Sequence, residues 1–498
     1  MVLPTPILFL LLGMVLVVFV YVRRNRRVGP LPPGPTGWPI VGNVLDMPAS
    51  YHWRTFADWG KQWGDIISVS LLGQTLVIVN SPRHAIDMLE KKSTIYSSRA
   101  SVPVAGDMIG WTRALLLAPY GHRLREMRKM FANVLGTRQH VARFHSLIED
   151  ETRHFLLGLS RRSDSLVDDL HKLAAAIIMT VSYGYKVRGN DDPIVKTVDE
   201  VMEDLAHVAA PGAFWADVFP FLCHIPSWIP GAQWKRKVGE QRQAFNRMAD
   251  NAGNARPSFT SALLEGNSDP AREELIKMAA ASLYSGGADT TVSAINSFFL
   301  AMSCFPEVQR KAQAEIDAVI GHDRLPTLQD RDKMPYMNAL VLEVLRWIPV
   351  TPLAFFHELV QDDVHEGYHL PRGTRVVANV WQFLHDPQTY SDPMRFNPDR
   401  FIPTKGMEAE RNPRDFCFGF GRRRCPGTAF AEASIFVACA MTLAVYNISK
   451  ATRNGQVVEP VMEGTGGMIS HPVPFQCTIS VRSEAAQALL DAMADGAA

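Results

Sequence analysis

The chain of 498 residues predicts a mainly α-helical protein with a small β region, and three observations carry that expectation. Helical patterning dominates from Ala118 onward, strand signals are confined to two short hairpins, and one helical stretch is long enough to span a domain. Charges nearly cancel: 51 Lys plus Arg against 50 Asp plus Glu leave a net charge of +1. No global field exists to attract nucleic acid, and no nucleic-acid partner is expected. Six cysteines (Cys223, Cys304, Cys417, Cys425, Cys439, Cys477) without a C-x-x-C pair argue against a zinc site or a disulfide framework and fit a reducing compartment.

Residues 1–22 carry no charged side chain, and Ile7 to Val22 is an apolar run. As a helix this stretch would cross roughly 30 Å of hydrocarbon, so 1–22 is expected to be a transmembrane anchor. Arg23, Arg24, Arg26 and Arg27 follow it, which disfavours a cleavable signal peptide and holds the following chain on the cytosolic side. Residues 23–35 read as a basic, proline-rich hinge, with Gly29-Pro-Leu-Pro-Pro-Gly-Pro35 as a stiff extended spacer.

Ile66 to Leu72 and Thr75 to Asn80 are β-rich runs joined by Gly73-Gln74, a hairpin signal. Ser81-Pro82 opens a helix by cap and N1 proline. A second hairpin is expected over Tyr368 to Ala378 with Pro371-Arg-Gly373 in its turn. Only Asp250 to Asn254 and Met407 to Arg414 look like flexible surface connections, so 36–498 is expected to form one domain.

Asp269-Pro270 supplies a cap and N1 proline for a helix that persists to Cys304, about 50 Å at 1.5 Å per residue. Within it lies Gly286-Gly-Ala-Asp-Thr-Thr291, where each glycine costs about 1 kcal/mol relative to alanine. A ligand approaching closely would compensate, with Thr290 or Asp289 bonding freed carbonyls across a local bulge; a contact between helices through small residues is the other reading. Glu343 and Arg346 share a helix face in Val341-Leu-Glu-Val-Leu-Arg-Trp347, and Arg400 in Pro398-Asp-Arg-Phe401 would extend them into a buried three-membered network.

Phe418-Gly-Phe-Gly-Arg-Arg-Arg-Cys425-Pro-Gly427 places one cysteine beside three arginines, whose charge favours an ionised sulfur. Gly421 and Gly427 leave clearance for a flat group, and Pro426 precedes an apolar helix (Thr428 to Tyr446) whose positive end points at the sulfur. Phe418, Gly421, Arg423, Cys425 and Gly427 stand at the spacing of the haem-binding loop of the cytochrome P-450 superfamily, which this chain closely resembles.

That resemblance implies the cytochrome P-450 fold and haem b with Cys425 as axial ligand, Phe418 and Gly427 being further members of the cofactor loop. It implies that Thr290 steadies activated oxygen while Asp289 assists proton delivery. It nominates Arg128, His357 and Arg423 as partners of the haem propionates. Two departures stand out: Leu124 occupies a position usually held by tryptophan, and Phe356 precedes His357 where proline is common.

Segments that line the distal pocket in the family correspond to 102–117, 211–221, 281–286, 350–355 and 465–469, with Met108, Trp111, Trp215, Phe355 and Met468 as shape-setting members and Asp107 and Arg113 as polar exceptions. A lipophilic substrate is implied. Gly464-Thr-Gly-Gly467 is not a dinucleotide fingerprint, so electrons are expected from a separate NADPH-cytochrome reductase, docking at Arg125, Lys129 and Arg422. The resemblance is strongest to fungal microsomal members that tailor terpenoids, polyketides or indoles, which implies a single-pass endoplasmic-reticulum protein that hydroxylates or epoxidises its substrate with O₂. Peroxide rearrangement without a reductase, and a non-catalytic haem sensor or carrier, remain the alternatives.

Overall fold

The computed structural model describes residues 29–100, 102–161, 166–187, 192–208, 214–250, 258–266 and 268–496. The expected anchor over 1–22, and the arginines behind it, lie outside the described residues. Among those described, helices dominate around one large apolar core, and the β structure is one four-stranded sheet with three two-stranded ribbons.

The central helix runs Pro270–Cys304, as its end signals require: the Asp269 side chain accepts from Ala271 N and Pro270 occupies the first turn. It is buried around most of its circumference from Ile276 on, which suits a helix running through a core rather than over it. The helix Leu166–Tyr183 crosses it closely, because a Cβ on Gly287 would lie 2.8 Å from Ile178 Cδ1. Gly287 therefore serves a contact between helices, whereas a Cβ on Gly286 would meet nothing within 4 Å. The expected bulge is absent. The helix is continuous through this stretch, and Thr290 Oγ1 donates back to Gly286 O at 2.7 Å.

Strands β1 (Ile66–Leu71) and β2 (Gln74–Val79) form the first hairpin. Its turn is Leu72-Gly73, one residue earlier than expected, with φ of 49° and 81° at the two positions. Two left-handed residues match the twist of a two-residue hairpin, so Gly73 sits second and forces leucine into positive φ. Ser81 does not cap the next helix through its side chain, though Pro82 starts it. The expected second hairpin is corrected. β3 (His357–Glu358) and β6 (Arg375–Ala378) complete the β1-β2-β6-β3 sheet, while β4 (Asp363–His365) and β5 (Tyr368–Leu370) pair with each other. Glu366-Gly367, both at positive φ, makes the tight turn, and Pro371 to Thr374 merely carries the chain between two sheets.

The described part of the proline-rich stretch is docked rather than free. Pro33 O accepts from Ser68 N at 2.9 Å, Pro30 O from His369 N at 2.8 Å, and Pro32 O from Ser68 Oγ at 2.5 Å. The Met407 to Arg414 stretch is likewise anchored, since Glu410 Oε2 lies 2.6 Å from Arg400 Nη1.

The Glu343–Arg346–Arg400 network forms as expected and gains Glu410. Arg346 grips Glu343 through Nε and Nη2 at 2.7 and 2.8 Å, and Arg400 Nε reaches Glu343 Oε1 at 3.2 Å. Carbonyls of Leu384, Pro393 and Arg395 take further Arg346 donors, and Asn397 N donates to Glu343 at 2.7 Å. Both Glu343 and Arg346 are fully buried, so their charges are stable only while each donor and acceptor is matched.

Glu343→Gln is therefore expected to destabilise the protein by about 3–5 kcal/mol, whereas Lys311→Ala, which breaks an exposed pair with Asp399, should change stability by less than about 1 kcal/mol. Denaturation followed by circular dichroism checks this, and equal losses would contradict the network's role.

Candidate active site

The cysteine loop is a compact turn built on backbone bonds. Cys425 N donates to Phe418 O at 2.8 Å, Gly419 N to Phe416 O, Arg423 N to Phe420 O and Arg424 N to Gly421 O. Gly421 has φ of 50°, and a Cβ there would sit 2.2 Å from Leu89 O. Its missing side chain thus lets the loop press against the turn Asp87–Lys91, which corrects the expectation that it clears a cofactor. Gly427 caps the helix Thr428–Val445 with φ of −91°, and a Cβ there would meet only Cys425 Sγ, at an ordinary 3.9 Å. Phe418 is half-buried against the main core.

Cys425 is exposed. Burial pushes the thiol up; Gly427 N–H, Arg128, the Thr428 hydroxyl and Arg424 pull it down but do not prevail. The three arginines expected to favour an ionised sulfur do not act together. Arg422 turns away to the hydroxyl and ring of Tyr120, Arg423 reaches a different edge, and only Arg424 of the three acts on the thiol, while donating to Arg414 O at 3.0 Å.

That edge gathers two arginines and a histidine: Arg99 and His357 are buried and Arg423 is half-buried. Arg423 donates to Ser97 O, Leu115 O and Ala118 O at 2.7, 3.2 and 2.5 Å. His357 Nδ1 donates to Tyr96 O at 2.7 Å. Arg99, which sequence reasoning missed, donates to Leu116 O, Phe355 O and Phe356 O at 3.1, 2.9 and 2.8 Å. Nothing local in Ser97-Ser-Arg99 marks it, since its partners come from two distant segments.

Burial pushes His357 well below the ordinary histidine range, and Arg99 reinforces the shift more than Tyr96 O opposes it. Arg423 is pushed down to about 9 by burial and by Arg128, and Arg99 falls by burial and by Arg423. Arg128 is lowered by burial, with Cys425 as the opposing influence. No described carboxylate pairs with any of the four. Backbone carbonyls satisfy geometry but leave the positive charge uncompensated. Such an edge suits a group that brings its own carboxylates.

Thr290 and Asp289 sit on the central helix beside the open face of Gly286. Asp289 Oδ1 lies 3.1 Å from His471 Nε2, a partner far along the chain that no sequence signal indicated. Leu124 is buried in the core and Arg125 is exposed over the Tyr120 ring, so neither replaces the missing tryptophan.

The expected pocket-lining aromatics divide. Trp111 is buried against Phe245, with ring centroids 4.7 Å apart, and is core; Trp215 is 70% exposed beside Phe219. Met468 is also exposed, and Phe355 lies under Arg99. Arg113 is tied to Asn246 at 2.6 Å and to Glu274, and Asp107 is exposed. Of 211–221, the first three residues lie outside the described structure. Runs of apolar residues specify burial, and only the tertiary contacts separate core from pocket.

A family model described as Cytochrome P450 matches residues 32–479. The chain is 54% identical over 484 residues to cytochrome P450 monooxygenase 208 of Postia placenta, covering 95% of this chain and 94% of that protein. It is 43% identical over 486 residues to cytochrome P450 monooxygenase claR of Ampulloclitocybe clavipes, covering 95% and 90%. With cytochrome P450 monooxygenase ppsD of Aspergillus oryzae the identity is 38% over 489 residues, covering 95% and 92%. A match of this extent, on a mainly helical fold with an open-faced cysteine and an uncompensated cationic edge, places the chain in the cytochrome P450 family, whose members are haem b monooxygenases.

Proposed function

We propose that Cys425 holds the haem iron, with Arg99, Arg128, His357 and Arg423 around the propionates and with Thr290 and Asp289 handling protons on the opposite side. The observation that carries this reading is the pairing of the one exposed cysteine, beside Gly427 N–H, with Arg99, Arg128 and Arg423, none of which has a carboxylate partner among the described residues. When bound, haem supplies one-electron and O₂ chemistry, and thiolate ligation favours O–O cleavage.

The chain's own groups account for the rest. Gly427 N–H, the Thr428 hydroxyl, Arg128 and Arg424 favour the thiolate that a metal requires. Thr290 gives its hydroxyl hydrogen to Gly286 O, which leaves its oxygen as an acceptor next to Asp289. Gly286 keeps the adjoining space open. Half-buried Val102, Met108, Leu115 and Phe355 offer apolar walls, which support a lipophilic substrate that is hydroxylated or epoxidised.

Electrons are assigned to a separate NADPH-cytochrome reductase. The sequence lacks a dinucleotide fingerprint, and exposed Arg125, Lys129 and Arg422 offer a cationic face to an acidic flavoprotein. Charge-free residues 1–22 followed by arginines support a single-pass anchor with the enzyme on the cytosolic face of the endoplasmic reticulum. The helix Thr428–Val445 is also apolar enough to span a bilayer, but it is 83% buried and serves as core. Likeness to fungal monooxygenases supports a place in secondary metabolism, tailoring a terpenoid, polyketide or indole. A peroxide isomerase or a haem carrier would use the same cysteine but would leave Asp289 and Thr290 without a task.

Reduced protein plus carbon monoxide should show the strongly red-shifted Soret band of thiolate ligation, and Cys425→Ala should abolish it. Persistence of the band in that variant would overturn the assignment. Thr290→Ala should retain haem yet release about tenfold more of its reducing equivalents as peroxide, given the 10²–10⁴-fold range of positioned proton transfer. Unchanged coupling, measured as peroxide formed per NADPH, would remove Thr290 from proton handling.

A further inference from the structure

We propose that His471 is the positioning residue for Asp289, fixing the carboxylate beside Thr290 through a loop that is fastened to the same helix. The proposal rests on the reading of Asp289 as a proton carrier. Its basis is geometry that an ordinary exposed ion pair lacks. Asp289 Oδ1 and His471 Nε2 are 3.1 Å apart, and both side chains are only about a quarter exposed, at 29% and 26%.

His471 does not reach Asp289 from a free surface loop. Thr465 N donates to His471 O at 2.7 Å and His471 N to Thr465 Oγ1 at 3.1 Å, which closes Thr465 to His471 on itself. Ser470 Oγ donates to Thr465 O at 2.9 Å inside that closure. A Cβ on Gly464 would sit 2.3 Å from Ser470 Oγ, so the closed form requires glycine there. Two bonds then fasten the loop to its surroundings: Ser293 Oγ donates to Ser470 O at 2.5 Å, and Ser470 N to Val350 O at 2.8 Å.

Ser293 lies four residues beyond Asp289 and shares its helix face. One helical turn therefore carries both the carboxylate and the anchor that sets its partner's distance. A pair of long exposed side chains loses rotamer freedom to meet and gains little. Here the imidazole is held by backbone bonds, and the carboxylate finds it in place. The benefit is orientation, because small misplacements of a reacting group carry large rate effects.

The test uses the full-length, haem-loaded protein with purified reductase. The first readout is the infrared C–O stretch of the reduced carbon monoxide complex, which senses how uniformly nearby polar groups are oriented. The second is the fraction of NADPH electrons recovered as hydrogen peroxide without added substrate. His471→Ala is expected to broaden or split the C–O band and to slow NADPH oxidation roughly tenfold with more peroxide, in line with the rate effects of misplaced groups. His471→Gln, which keeps an N–H donor near Nε2, should restore one narrow band and bring the rate to within about threefold of the parent, since the retained donor restores the orientation. Ser293→Ala should broaden the band while leaving His471 in the chain, and it carries the test if His471→Ala fails to retain haem. A parental band and peroxide fraction in both His471→Ala and Ser293→Ala, with Asp289→Asn impaired, would overturn the role of His471 alone. A parental Asp289→Asn would instead overturn the reading of Asp289 itself.

Discussion

Positive charge buried without a carboxylate partner is the constraint around which the site is organised. Arg99 is buried and Arg423 half-buried, and among the described residues only neutral carbonyls meet their guanidinium groups, as Tyr96 O meets the His357 ring. Removing one partner from a buried charge pair typically costs about 3–5 kcal/mol, so charge arranged this way favours an anion beside it. The same carbonyl bonds stitch Tyr96–Arg99, Leu115–Ala118, Phe355–His357 and the cysteine loop together at one edge. Burial and mutual repulsion both act against the charged forms there, and no described carboxylate offsets them. On the proposed assignment the haem propionates would supply the missing charge, which would link the packing of four chain segments to cofactor binding.

The opposite boundary of the loop is set by packing. Gly421 brings the turn against Leu89 O, and the fully buried Glu343 fixes Arg346 and Arg400, whose remaining donors hold the carbonyls of Leu384, Ser391, Pro393 and Arg395. These groups fix the chain around Glu343, while the local field at the sulfur comes from Gly427 N–H, Arg128, Thr428 and Arg424.

Features written in a few adjacent residues were legible before the fold was seen. The Asp269-Pro270 start and Cys304 end of the central helix, the cysteine loop, and the Glu343–Arg346 pair with Arg400 are local patterns with local physical causes. Features that depend on distant partners were not. The Leu72-Gly73 turn was displaced by one residue because twist, and not glycine count, selects it. Pro371 to Gly373 looked like a hairpin turn, but Tyr368–Leu370 found a tighter partner in Asp363–His365. Trp111 and Trp215 have the same composition signal and opposite fates, one in the core and one on the surface. Arg99 and His471 could be recognised only after residues from separate segments were brought together.

The most direct measurement is the affinity of the haem-free chain for haem b compared with its dimethyl ester, in which both propionates lose their charge. Two charge-assisted contacts at about 1.5–3 kcal/mol each predict at least roughly 100-fold weaker binding of the ester. Equal affinity for the two would contradict the claim that the cationic edge is built to be neutralised by the cofactor.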